Sequence, residues 1–166
     1  VRSLYAGEVA FVDAHLGRLV RGLHEAGLYD RALVVLTSDH GEELWDHGGF
    51  EHGHSVFEEL LRVPLIVKLP GSGPRGRVGA RVSLEDVAPP VLDVAGVGFE
   101  PESLTGRSLR PLWTGGSEGP ERPYVAGHTL YFEPQTAVLF DGLKWVERPW
   151  SGAHAAFDLR ADPGER

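Results

Sequence analysis

Ala32-Leu33-Val34-Val35-Leu36-Thr37, running straight into Ser38-Asp39-His40-Gly41-Glu42, is the stretch on which the reading of this chain turns. An aliphatic run closed by a β-branched threonine suits a short buried strand of a parallel sheet covered by helices. Residues 38–55 are rich in Gly, His, Asp and Glu and carry no periodicity, so they read as a loop leaving the end of that strand. Open α/β sheets place their ligands at strand ends of this kind.

Working outward, Tyr5, Val9, Val12, Leu16, Leu19 or Val20, and Leu23 recur in steps of three and four, which is one face of an amphipathic helix. Gly27 supplies its stop. Residues 56–61 suit a short helix, and Val63-Pro64-Leu65-Ile66-Val67-Lys68-Leu69-Pro70 reads as a second buried strand with proline at its margins. Residues 71–79 form a Gly-rich connection. Ser83 followed by Glu85 and Asp86 marks a helix start, with Pro89 and Pro90 in its first turns and Gly96 at its end. Residues 98–121 are Gly/Pro-rich around a short apolar island, Leu109 to Trp113. From residue 122 the runs shorten: 124–131, 136–140 and 143–146, the last two joined by the hairpin signal Asp141-Gly142. The chain therefore reads as α/β over residues 1–97, followed over 98–166 by a linker and a small appended antiparallel sheet.

Bulk properties narrow the function. A chain of 166 residues, 42% hydrophobic, is long enough for a compact core. A net charge of -8 argues against nucleic acid or an anionic membrane surface as partner. No apolar run has the length of a bilayer span. With no cysteine, no disulfide or thiolate site exists in these residues, and the compartment, periplasmic and secreted included, stays open. The chain also has no methionine and opens directly into a helix pattern, so it is read as a piece of a longer protein whose N-terminal part lies elsewhere.

Four of the eight histidines, His40, His47, His52 and His54, fall within residues 40–54, interleaved with Glu42, Glu43, Asp46 and Glu51. Asp39 and His40 sit together at the strand exit. A carboxylate and an imidazole are both metal ligands, and a strand end can hold them rigidly. The same pair also suits an N-cap Asp beside a solvated His, and the cluster also suits a hydrated acidic loop. His15 and His24 fall off the apolar stripe of the first helix and read as solvent-facing. His128 falls in a strand, and Trp113, Trp145 and Trp150 read as core or subdomain-interface residues.

Leu36-Thr37-Ser38-Asp39-His40-Gly41-Glu42 resembles the second metal-binding motif of sulfatases and their phosphohydrolase relatives in the alkaline phosphatase superfamily. Further segments are similar to that family in the same order: Tyr5 to Leu19, Phe57-Glu58-Glu59 with Val63-Pro64-Leu65-Ile66-Val67, Val82 to Pro89 with Leu92 to Gly96, Leu104 to Leu109, and Phe157 to Glu165. The resemblance implies the C-terminal part of an alkaline-phosphatase-like sandwich. It implies a divalent ion, most readily Ca2+, held by Asp39 and His40 together with acidic ligands near the protein's N-terminus, or Mn2+ or Zn2+ in a phosphohydrolase. It also implies a nucleophile outside these residues, a formylglycine in sulfatases, and a sulfate or phosphate ester as substrate. Where the family has a lysine that contacts the sulfate, this sequence has Gly53 or His54. Lys68 lies on the wrong side of the strand to replace it. His54 is the first candidate for that contact and His52 the second, since an imidazolium can donate to an ester oxygen and later to the leaving group. A sulfuric ester hydrolase is thus the leading expectation. The alternatives are a phosphoric or phosphonic ester hydrolase, a phosphoglycerol transferase, or a non-catalytic module.

Overall fold

A computed structural model of the chain describes residues 1–100, 103–115, 122–128 and 131–166, with the side chain of His128 outside that description. The parts of the expected linker at 101–102 and 116–121, and residues 129–130 of the run expected at 124–131, also lie outside it. The chain forms two compact units, Val1–Leu36 with Leu65–Ser117, and Thr37–Pro64 with Glu118–Arg166.

In the first unit, helix α1 spans Arg2–Glu25 and ends as the spacing predicts: Gly27 has φ 66°, and Leu28 N donates to Leu23 O. Its apolar stripe is only half-covered at Leu16, Val20 and Leu23, while Val9 and Val12 are exposed. Strands β1 (Val34–Thr37) and β4 (Leu65–Lys68) are hydrogen-bonded neighbours. Leu33, Val35, Leu65 and Val67 gather around one apolar gap with Val87, Pro90 and Val91 of the following helical segment. That segment is a 3-10 turn, Leu84–Val87, leading into α3, Ala88–Ala95, with both prolines in the first turn of α3. The strands expected to be buried on both faces are covered on one, and Ile66 is 59% exposed. Lys68 is occupied structurally: its ammonium donates to the carbonyls of Tyr29 and Ala32 and lies over the Tyr29 ring. The pentapeptide Arg110–Thr114 forms the short helix α4. Among the described residues no helix is long and apolar enough to cross a membrane.

In the second unit, the loop after β1 carries the two-residue strands β2 (Glu43–Leu44) and β3 (Phe50–Glu51), paired antiparallel, and then the one-turn helix α2 (Glu58–Leu61). The rest is an antiparallel meander of β5 (Tyr124–His128), β6 (Gln135–Phe140), β7 (Leu143–Arg148) and β8 (Ala153–Asp158). Asp141 and Gly142 have φ 47° and 72°, the left-handed pair that a two-residue hairpin turn requires. The core of this unit is Val56, Ala137, Leu139 and Val146, with Leu61, Tyr124, Phe157 and Leu159 packed on it. The loop between β1 and β4 therefore folds down on one face of the meander. Alternation along β7 turns Lys144 and Val146 inward and Trp145 outward. The core reading is not met for Trp145 and Trp150, which are 45% and 74% exposed.

Asp86 is the polar anchor of the first unit, 2% exposed. Its carboxylate accepts from Ser83 N at 2.8 Å and from Arg107 N at 2.7 Å, completing the capping box that Ser83 begins. Each buried donor left unpaired costs about 1–3 kcal/mol. Asp86→Ala is therefore expected to destabilise the protein by about 2 kcal/mol or more, read from chemical denaturation of the full-length protein. A change within about 0.5 kcal/mol, the range of ordinary surface substitutions, would sink this account of the cap.

Candidate metal-site loop

Asp39 leaves β1 with its carboxylate turned to solvent, the side chain 86% exposed. The N–H of His40 donates to Asp39 Oδ1 at 3.0 Å, and this bond, followed by one from the backbone N–H of Asp39 itself, holds the carboxyl below its ordinary value. His40 Nδ1 lies 2.8 Å from Gly41 O. A carbonyl can only accept, so Nδ1 is the donor, and in the neutral imidazole the lone pair lies on Nε2. Nε2 stands 3.7 Å from Asp39 Oδ2. One imidazole nitrogen and one ionised carboxylate thus converge, a donor set that suits a divalent cation completed by further oxygen ligands.

Gly41 fixes this pair to the support beneath it. Its N–H donates to Leu60 O at 2.8 Å, and a Cβ at this position would fall 1.8 Å from Glu59 O. Only a residue with no side chain lets the backbone lie this close to α2.

Glu43, 1% exposed, organises the rest of the loop. Its Oε1 accepts from His47 N at 3.0 Å and Gly49 N at 2.6 Å, and its Oε2 lies 2.7 Å from His54 Nε2. Burial pushes its carboxyl pKa up, but the hydrogen bonds from His54, Gly49 and His47 together outweigh burial and leave it below the ordinary value. Gly49 is again required by space, because a Cβ there would meet His54 Nε2 at 2.4 Å and Glu43 Oε2 at 2.8 Å.

The two candidate histidines go to different places. The His52 ring lies against that of His40, centroids 4.0 Å apart, with Nδ1 3.3 Å from Glu42 Oε1. His54 is turned inward onto Glu43, its side chain 15% exposed, and its carbonyl accepts from Gln135 Nε2 at 3.1 Å. The structure therefore brings Asp39, His40 and His52 together and sets His54 apart from them on a buried carboxylate.

Glu43, His47 and Glu59 also place one potential ligand atom each within 4.8 Å of one another. Their hydrogen bonding argues against a metal there. His47 Nδ1 lies 2.6 Å from Glu59 Oε1, while Nε2 faces Gly164 O at 3.0 Å and Glu165 O at 3.3 Å. Both ring nitrogens face acceptors, so His47 is an imidazolium with no lone pair to offer. Burial lowers its pKa, but Glu59 first and then the two carbonyls outweigh it and raise the pKa above the ordinary value. The ring stacks on Phe57 with centroids 3.7 Å apart. Glu43, His47, Glu59 and Glu165 fall within the His-rich loop or the family-like segments of the sequence, which gave none of them a role, and Lys144 falls in the run 143–146, which marked it no differently from its neighbours. The cue that was available for Glu43 is its place directly after the Gly41-Glu42 step.

These two groups give the loop a two-sided pH dependence. The folded pKa of His47 is raised, so its contribution is complete below the ordinary value of 6.5 and is lost as pH rises through the folded value. That of Glu43 is lowered, so its contribution is present above the ordinary value of 4.5 and is lost as pH falls through the folded value. Hydrogen-exchange protection of the His47 and Gly49 amides should peak between those limits. His47→Gln should remove the alkaline decline and leave the acid one. An alkaline decline that survives the substitution would assign it to another group.

The model of the sulfatase family matches residues 1–97. Arylsulfatase K of Xenopus laevis is 32% identical over 178 residues, covering 99% of this chain and 33% of that protein. A protein solved in complex with its substrate D-glucosamine-2-N,6-O-disulfate superposes with a TM-score of 0.78 at 26% identity, over 95% of this chain and 33% of the other. A phosphonate monoester hydrolase from Silicibacter pomeroyi does so with a TM-score of 0.78 at 28% identity, over 91% of this chain and 33% of the other. The chain spans about a third of the length of the relatives it matches. By a family match over more than half its residues, the chain belongs to the sulfatase family and shares the alkaline-phosphatase-like fold of that family's solved members.

Proposed function

We propose that this chain is the C-terminal portion of a metal-dependent sulfuric ester hydrolase, with residues 1–97 belonging to its α/β domain and 98–166 to a linker and small sheet. Asp39 and His40 are its share of a divalent-cation site. The observation that carries this reading is the His40 ring, with Nδ1 turned to Gly41 O at 2.8 Å and Nε2 beside Asp39 Oδ2 at 3.7 Å. Ca2+ is the cation the resemblance favours. A bound cation supplies charge for the ester oxygens and for the nucleophile. The nucleophile and remaining cation ligands belong to the part of the protein outside this chain.

The chain's own residues do four things. The Asp39 carboxylate stays ionised near neutrality, because its hydrogen bonds favour the charged form. Gly41 ties the pair to α2, so the ligand atoms do not have to be ordered on binding. His52, against His40, is the histidine on the same face as the pair, and we assign it the ester contact. His54, held by Glu43, then orients the loop that carries His52. The likeness to a phosphonate monoester hydrolase keeps a phosphonic or phosphoric ester as the second reading, in which Mn2+ or Zn2+ replaces Ca2+.

In the full-length protein Asp39→Ala should abolish cation-dependent sulfate ester hydrolysis while the fold is kept. A cation contributes several kcal/mol to the transition state, so the loss should reach about 10²-fold or more. Full activity with one equivalent of bound cation would remove Asp39 from the site. Hydrolysis confined to phosphonate or phosphate esters would select the second reading.

The two histidines separate kinetically. His52→Ala should lower kcat by roughly the 10²–10⁴ typical of a lost general acid and alter the limb of the pH profile that reports it. His54→Ala should lower thermal stability and raise KM while leaving the shape of that profile. The reverse pattern would return the ester contact to His54.

A further inference from the structure

Lys144 and Glu165 are charged residues buried to 1% and 3% exposure in the antiparallel unit, and nothing proposed so far uses them. Lys144 Nζ lies 2.7 Å from Glu165 Oε1 and 3.4 Å from Glu58 Oε1. The other Glu165 oxygen, Oε2, accepts from the N–H of Glu58 at 2.6 Å, at the start of α2. The N-cap residue of that helix, Phe57, makes no side-chain cap, so the carboxylate of Glu165 takes that place from more than a hundred residues away. Its backbone also contributes, since the carbonyls of Gly164 and Glu165 face His47 Nε2, whose other nitrogen meets Glu59 of α2. Glu165 does this from φ 54°, a left-handed conformation that a residue with a long side chain adopts only when its surroundings impose it.

The backbone of α2 also meets Gly41, the neighbour of His40. Leu60 O accepts from Gly41 N, and Glu59 O lies against Gly41 so closely that no Cβ fits. An unbroken series of contacts thus runs from Lys144 through Glu165 to Glu58, Leu60 and Gly41, next to His40. We propose that Glu165 is a positioning residue for the Asp39–His40 pair, acting through α2; this rests on the reading of that pair as cation ligands.

Calorimetric titration of the full-length protein with Ca2+ alone, alongside thermal unfolding, tests it. In Lys144→Met/Glu165→Gln both buried charges are gone, but an amide oxygen remains to accept from Glu58 N. In Lys144→Met/Glu165→Ala the charges are equally absent and so is the acceptor. The Ala variant should bind Ca2+ about tenfold more weakly, the lower end of the loss seen for outer partners of metal ligands, with the Gln variant close to the unaltered protein. Glu165→Asp keeps the charge beside Lys144 but is one methylene too short to reach Glu58 N, and should behave like the Ala variant. Equal Ca2+ affinity in the Gln and Ala variants overturns the proposal. So does failure of all three variants to fold, which would make Glu165 structural. Asp39→Ala, titrated in parallel, separates the two readings. If it binds Ca2+ undiminished, the cation assignment fails. If it loses Ca2+ while the Glu165 variants do not, only the role of Glu165 fails.

Discussion

The carboxylate of Glu43 is the constraint on which the candidate site depends. A charge taken this far from water is tolerated only if its lone pairs are filled by donors, and three donors from one loop fill them: His47 N, Gly49 N and His54 Nε2. Satisfying one buried anion therefore dictates the course of residues 43–54. The turn at 45–49 must bring two N–H groups onto Oε1, and the strand pair β2–β3 follows from that closure, with Trp45 N bonded back to Gly49 O. Gly49 is imposed by the same requirement, since the carboxylate and the imidazole leave no room for a side chain.

A second buried charge sets where that loop lies. Lys144 points into the meander and must find anions there; Glu165 and Glu58 provide them. Replacing such a group by an apolar one of similar shape is often neutral for stability, so a buried ion pair is better explained by the geometry it enforces than by the energy it adds. Here the geometry is specific. The turn at 162–165 and the first residue of α2 are brought to one ammonium, and Val56 and Leu61 are seated on Ala137, Leu139 and Val146 as a consequence. Polar contacts fix the register of loop on sheet, and apolar burial supplies the driving force.

What the sequence made legible is what depends on local patterning. The helix of residues 2–25 follows from its spacing, its end from Gly27, the capping box from Ser83 and Asp86, and the hairpin from Asp141-Gly142. Each of these rules acts within a few residues. The fold class followed from the collinear resemblance and agrees with the solved relatives. Lys144 was not legible, because Leu143-Lys144-Trp145-Val146 alternates in a way that fits either face outward, and hydrophobicity favours burying Leu143 and Trp145. The opposite face won because Val146 belongs with Ala137 and Ala155 in the pairing register and because two carboxylates, one 86 residues upstream and one 21 downstream, await the ammonium. The strand β8 was missed for a related reason: Ala153-His154-Ala155-Ala156 carries little strand propensity and is held by its pairing with β7. The placement of His52 and His54 could not be read from spacing alone. They stand two apart in an irregular loop, and which of them turns inward is decided by Glu43.

These contacts divide the loop into two kinds of residue. Glu43, Glu58, Val56 and Leu60 are buried and fully engaged, whereas Asp39, His40 and His52 keep much of their surface open and are held through neighbours. In the proposed site a cation ligand cannot also be consumed by internal bonding, so rigidity has to be supplied by adjacent groups. Gly41 is where the two kinds meet: its N–H and its bare Cα lie on α2, and its carbonyl fixes the proton of His40. The same division argues that the Glu43, His47, Glu59 cluster, though its ligand atoms lie close together, suits a cation less well than the proposed Asp39–His40 pair. Its carboxylates and imidazolium already satisfy one another, and a cation there would have to break those bonds before it made any of its own.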